Sequence, residues 1–209
     1  MDFPLYLRRV EALYEALLQE GIVQLREEAP FFRWASGRLS PVYLDLRRCL
    51  AYPALRQALV EALRRRLEEK GLTFQGVAGV ATGGISWAAW LADRLGLPMG
   101  YVRSAPKAYG TSRTVEGLLP AHSPVLLIED VLSTGQSVAT AAAHLIEEGF
   151  HLAGIAALWD YALPSQEKLP YPHLSVLRFP QALAAWQPHL PSAQYTRLQQ
   201  WHKTGELPI

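Results

Sequence analysis

One cysteine, Cys49, in 209 residues leaves this chain without an intrachain disulfide and without a cysteine-built zinc cluster. An excess of either charge is also missing: 20 Lys and Arg against 19 Asp and Glu give a formal net charge of +1. That balance lacks the basic face with which a protein displaces counterions from nucleic acid, so no nucleic-acid partner is expected. No apolar run is long enough for a membrane span, because the longest weakly polar stretch, 77–92, is broken by Thr82, Gly83, Gly84 and Ser86 and closes at Asp93. Asp2 follows Met1 at once and Arg8 and Arg9 come before any apolar core, which does not read as a signal peptide. The six histidines show no ligand spacing with acids or with Cys49, so they read as structural or solvated and no direct protein ligand to a metal is expected. No nucleophile elbow occurs either. With half its residues apolar, the chain can bury a full core, and the expectation is a single domain over 1–209 in the cytoplasm.

Periodicity orders the rest. Leu7, Val10, Leu13, Tyr14, Leu17 and Leu18 predict an amphipathic first helix, packed as a flap, between Pro4 and Gly21. A second follows Pro53 and stops at Gly71. From there strands near 76–81, 99–103, 125–129 and 152–159 alternate with helices near 85–95 and 137–148. Such alternation predicts an α/β fold, a mainly parallel sheet flanked by helices, with its core at about 72–160. A further strand at 174–179 and a helical tail at 195–203 follow, while 104–113 loses all apolar period and reads as a mobile loop.

Most of the chemistry is concentrated in 125–137. Four apolar residues, Val125 to Ile128, run into Glu129 and Asp130, then into Val131, Leu132, Ser133, Thr134, Gly135, Gln136 and Ser137, where a helix opens. A helix amino terminus at the carboxyl end of a strand presents unpaired N–H groups and a positive dipole end to an anion. Hydroxyls donate to phosphate oxygens and the two carboxylates accept from a diol, so a sugar phosphate satisfies both halves. Gly135 lets the backbone come close. The plainer alternative is a strand-to-helix turn capped by Ser133 or Thr134.

This segment resembles the phosphoribosyl-diphosphate (PRPP) motif of the type I phosphoribosyltransferases. Three further segments are similar to the orotate branch of that family: the hood Phe32-Arg33-Trp34-Ala35-Ser36-Gly37-Arg38-Leu39-Ser40-Pro41-Val42-Tyr43-Leu44-Asp45, then Gly79 to Ile85, then Tyr101-Val102-Arg103 through Gly110. The resemblance covers about 20–160. It implies the type I fold with a small hood at about 22–50, and transfer of a phosphoribosyl group from PRPP to orotate. Thr82, Gly83 and Gly84 become the diphosphate loop, with a cis peptide at Ala81–Thr82. Arg103 and Lys107 become the cations that meet the leaving diphosphate, and Mg2+ the helper ion. The resemblance further implies a homodimer in which loop 104–113 reaches the partner's site.

The remaining positions are less uniform. Phe31 and Phe32 can wall a planar base while Ser36 and Gly37 touch its edges, but the same alternation suits a half-buried strand. Tyr161, at a strand end, is a second base contact or a packed strand end. The family often has lysine where Gly83 and Ser104 stand, a base-contacting lysine at Ala35 and a histidine at Tyr109. Those departures leave two alternatives open: transfer to another base, or a regulator that binds PRPP or a nucleotide without transfer.

Overall fold

Apolar runs and turn residues fall where elements begin and end. The structure is a computed structural model that describes residues 10–34, 36–105, 113–166 and 168–207. In chain order its elements are α1 (Val10–Gln19), β1 (Val23–Leu25), β2 (Phe32–Arg33), β3 (Leu39–Ser40), β4 (Val42–Leu44), α2 (Pro53–Glu69), β5 (Gly76–Val80) and α3 (Gly83–Leu95). They continue with β6 (Met99–Val102), β7 (Val115–Gly117), β8 (Pro124–Leu132), α4 (Gln136–Glu147), β9 (His151–Asp160), β10 (His173–Arg178), α5 (Phe179–Trp186) and α6 (Ser192–Thr204).

By its internal packing the described chain divides into two compact units. The first takes the described residues up to Leu59, then Tyr161–Gln166, then those from Leu177 onward. The second takes Val60–Asp160 and the described residues after Gln166 up to Val176.

In the second unit a six-stranded sheet runs β10-β9-β8-β5-β6-β7. Strands β5, β6, β8 and β9 are parallel, and β7 is antiparallel to β6. All five residues of β5 are buried, as expected of a central strand covered on both faces. Val80, Val102, Leu127, Val138, Leu145 and Ile155 lie in one apolar cluster joining sheet and helix α4. Burial of such side chains contributes about 1.5–3 kcal/mol each and is the main stabilising term. Chain order and strand order part company between β5 and β8, since the chain moves from β5 to β6 on one side and then returns to β8 on the other.

In the first unit the hood is two short antiparallel pairs, β1 with β4 and β2 with β3. Aromatic packing holds the rest: Tyr161 lies 4.5 Å from Trp34 and 5.9 Å from Phe179, ring centre to ring centre, with Trp201 and Trp186 fully buried nearby. Helix α1 is part of this core and not a flap, because Leu13 and Leu17 are buried, Tyr14 Oη accepts from Arg178 N at 3.0 Å and Tyr14 O from Trp186 Nε1 at 2.8 Å.

The elements depart from the sequence reading in three further places. The strand expected at 125–129 runs on to Leu132, so both acids are strand residues and only Ser133–Gly135 remain as turn. Strand β7 and helix α5 had no expectation, being respectively too short for a period and opened by Phe179-Pro180. Strand β7 pairs antiparallel with β6, so the 104–113 segment links two neighbouring strands of the sheet.

Candidate active site

The site is built in the second unit, at the carboxyl ends of three neighbouring strands, β6, β5 and β8. Register places Val80 beside Val102 and Gly79 beside Ile128, which brings the ends leading to Arg103, Thr82 and Glu129 onto one sheet edge.

Glycine makes the β5 side possible. A Cβ on Gly79 would lie 2.7 Å from Gly84 O, and one on Gly84 2.2 Å from Ile128 O, so these two positions let the start of α3 settle against β5 and β8. A Cβ on Gly83 would lie 2.1 Å from Asp130 Oδ2 and 2.6 Å from its Oδ1. The Asp130 carboxylate therefore occupies the space directly over Gly83. Thr82 is the residue before α3, is exposed, and has no side-chain bond to the helix. The Ala81–Thr82 peptide is cis, as the resemblance implied. The first amides of a helix have no intrahelical acceptor, which suits such a start to an anion.

On β8, Glu129 is 5% exposed and Asp130 half-buried. Glu129 Oε1 accepts from Asp130 N at 3.0 Å, and Asp130 Oδ1 from Val131 N at 2.8 Å. Loss of solvent, and after it the neighbouring Asp130 charge, holds the Glu129 carboxyl well above its usual range. Val131 and Leu132 pair with Trp159 and Asp160 of β9, Leu132 being buried. In the turn that follows, the helix is capped by Gly135 at φ 88° with no side-chain bond. The capping alternative thus fails for Ser133. Thr134 Oγ1 only approaches Gln136 N at 3.4 Å, which is a weak contact. Both hydroxyls are half-buried, while Gln136 and Ser137 are exposed.

Arg103 follows β6. Its Nε donates to Ala105 O at 3.3 Å and its Nη1 stands 3.7 Å from Glu116 Oε1, so the guanidinium is loosely held. Lys107, Tyr109 and Ala35 lie outside the described residues.

The expected base contacts belong to the first unit. Phe32 stacks on Tyr43 at 5.5 Å with Arg26 4.2 Å above its ring, whereas Phe31 lines a separate hollow with Ala29, Ser192 and Arg197. The two phenylalanines thus have different neighbours. Ser36 and Gly37 are exposed at the tip of the β2–β3 hairpin, where Gly37 takes φ 83°. Tyr161 is 3% exposed inside the aromatic core, and burial drives its hydroxyl upward from the normal phenol range. Its surroundings are those of a packed strand end. Cys49 is buried and its thiol is pushed up to about 12, chiefly by burial and then by Asp45, so it is no nucleophile at neutral pH.

Glu129 gives a stability test with a definite sign. A carboxyl whose folded pKa is raised contributes its full share below the unfolded value, near 4.5, and loses it as pH rises through the folded value. Glu129→Gln keeps the acceptor for Asp130 N and removes the buried charge. The variant is expected to converge with wild type near pH 4 and to melt above it at pH 7–8. Between the unfolded and folded values the gap widens by about 1.4 kcal/mol per pH unit. Thermal unfolding across that range checks it, and a variant less stable than wild type at pH 8 would mean that Glu129 is ionised and paired.

Two acids, a glycine-rich helix start and a hydroxyl turn at one sheet edge define an α/β protein built to hold a sugar carrying phosphates. Residues 48–193 match the family model described as a phosphoribosyl transferase domain. Similar proteins include an orotate phosphoribosyltransferase of Bacillus cereus, 37% identical over 193 residues and covering 90% of this chain and 91% of its own. Another, of Cutibacterium acnes, is 40% identical over 193 residues, covering 90% and 89%. The crystal structure of orotate phosphoribosyltransferase from Aeropyrum pernix aligns with a TM-score of 0.72 at 32% identity, over 82% of this chain and 96% of that one. The chain belongs to the phosphoribosyltransferase family and, within it, to the orotate phosphoribosyltransferases.

Proposed function

We propose that this protein transfers the 5-phosphoribosyl group of PRPP to a ring nitrogen of orotate, releasing diphosphate, in the cytoplasm. The observation that carries the reading is the Asp130 carboxylate lying over Gly83, which sets the diol acceptor against the diphosphate loop on adjacent strands. As the bond from the anomeric carbon to diphosphate breaks, the carbon becomes cation-like, so the protein's work is to bind leaving-group charge and fix geometry. Asp130 and Glu129 hold the ribose hydroxyls. Ser133, Thr134, Gly135, Gln136 and Ser137 hold the 5-phosphate, with Val131 and Leu132 setting the turn. Thr82, Gly83 and Gly84 take the diphosphate, and Arg103 and Lys107 its developing charge. Phe31, Phe32, Ser36 and Gly37 are kept as base contacts on resemblance alone, and Tyr161 by its backbone or by packing.

Among the described residues no group of three His, Cys, Asp or Glu can cage a metal. That donor set fits an Mg2+ ion carried by the substrate, which takes one or two carboxylates and otherwise phosphate and water oxygens. Asp130 and Glu129 would meet it through the ribose hydroxyls they hold and not as direct ligands, and it would supply charge neutralisation on the diphosphate. Among the described residues no helix is long and apolar enough to cross a membrane.

Incubation with PRPP, Mg2+ and a panel of bases, followed by diphosphate release, tests the reading. Release with a purine and none with orotate would replace the acceptor. Tight PRPP binding with no release for any base would leave a regulator.

The proposed enzyme is a homodimer in which Lys107 acts on the partner's site. Mixed Lys107→Ala and Asp130→Asn chains are then expected to recover about a quarter of wild-type activity, because half of randomly paired dimers are hybrids with one intact site of two. A mixture no more active than its parents, with subunit exchange demonstrated, would confine Lys107 to its own subunit or to no role.

A further inference from the structure

The last turn of α4 carries an acid that local preference does not explain. Glu148 is the C-cap residue, where the helix dipole disfavours negative charge. Yet its Oε1 accepts three hydrogen bonds: from Thr114 N at 2.6 Å, Thr114 Oγ1 at 2.9 Å and Val115 N at 2.9 Å. One helical turn earlier, His144 Nδ1 lies 3.2 Å from Arg103 O and donates to it as the Nδ1–H tautomer. Arg103 and Thr114 are themselves joined, Arg103 N donating to Thr114 O at 2.9 Å. Both sides of that β6–β7 rung are therefore tied to the helix whose first turn follows Ser133, Thr134 and Gly135.

We propose that Glu148 is a positioning residue for phosphoribosyl transfer, tying β7 to α4 and so fixing Arg103, with His144 beside it, relative to the phosphate turn. β7 is an edge strand of three residues, too short to hold its place by sheet pairing alone. It also carries Glu116, the partner of the Arg103 guanidinium, so a displacement of β7 moves Arg103 through the rung and through the ion pair together. Burial acts to raise the Glu148 carboxyl, but the bonds from Val115 and Thr114 and the charge of Arg113 outweigh it and hold the group low and ionised. The inference rests on the reading of Arg103 as a contact to the leaving diphosphate.

The test compares Glu148→Ala and Glu148→Gln with wild type, each also on an Arg103→Ala background. Because one oxygen takes all three bonds, Gln keeps the acceptor. Ala is expected to lower kcat about tenfold, displacement of a catalytic group being that costly, with KM for orotate within about twofold and with rescue by Gln. On the Arg103→Ala background Glu148→Ala is expected to add nothing, since the two residues act as one unit. Amide exchange at Thr114 and Val115 should quicken in the Ala variant and return to wild-type rates in the Gln variant. If the Ala variant does not fold, Glu148→Asp, one methylene too short to reach, takes its place with the same expectations. Additive losses, or unchanged kcat where Arg103→Ala is slow, overturn the positioning role and leave the transferase reading intact. An Arg103→Ala enzyme as fast as wild type overturns both the inference and the role given to Arg103.

Discussion

Asp130→Asn is expected to slow phosphoribosyl transfer at least tenfold, the loss of about 1.4 kcal/mol or more of barrier lowering, while the unfolding temperature stays within about two degrees of wild type. The carboxylate is half-buried at a strand end and outside the apolar core, and the bond that its Oδ1 accepts from Val131 N survives in asparagine. What disappears is half of its capacity to accept hydrogen bonds from a diol, and the charge that the cation-like sugar meets. Steady-state kinetics with the best base, together with thermal unfolding, checks both halves. Activity held within about twofold would remove the ribose assignment, since a residue bonded to the reacting sugar cannot be neutralised at so small a cost.

Gly83→Ala and Gly84→Ala are expected to fail in different ways although they are adjacent. At position 83 a methyl group meets the Asp130 carboxylate, the free end of a side chain, which can turn away. The protein should fold with nearly wild-type stability and lose transfer about tenfold or more, because the carboxylate no longer sits where the ribose hydroxyls arrive. At position 84 the methyl meets the backbone oxygen of Ile128 in the centre of the sheet, which has no rotamer to change. Overpacking of that kind costs about 1–3 kcal/mol or more, equivalent to a fall of roughly 2–4 °C in melting temperature per kcal/mol for a chain of this size. Melting curves beside activities separate the two. Equal destabilisation by both substitutions would show that Asp130 is too tightly held to move.

Local information carried much of the fold. Strands β5, β6, β8, β9 and β10 and helices α2, α3, α4 and α6 fall within a few residues of their expected places, because an apolar period and a flanking Gly or Pro are properties of the chain itself. The segment 125–137 disclosed its chemistry for the same reason, since a phosphate turn is built from consecutive residues. Its second acid was misplaced by one detail only: β8 continues through Asp130 to Leu132 because Val131 and Leu132 find ladder partners in Trp159 and Asp160. No window of sequence around residue 130 contains those partners.

What the sequence determined by itself is therefore the set of groups: two acids, a hydroxyl turn, a double glycine and a loop with cations. Their assembly belongs to the tertiary structure. The reversal of strand order places β8 directly beside β5, and this brings Asp130 over Gly83, forty-seven residues away in the chain. Likewise Glu148 looks like an ordinary solvated acid until β7, three residues with no period of their own, is laid against α4. Periodicity records which face of an element is apolar, and it contains no information on which other element will cover that face. That choice is made by the packing of the whole sheet, where the burial of side chains from distant segments outweighs the preference of any single one.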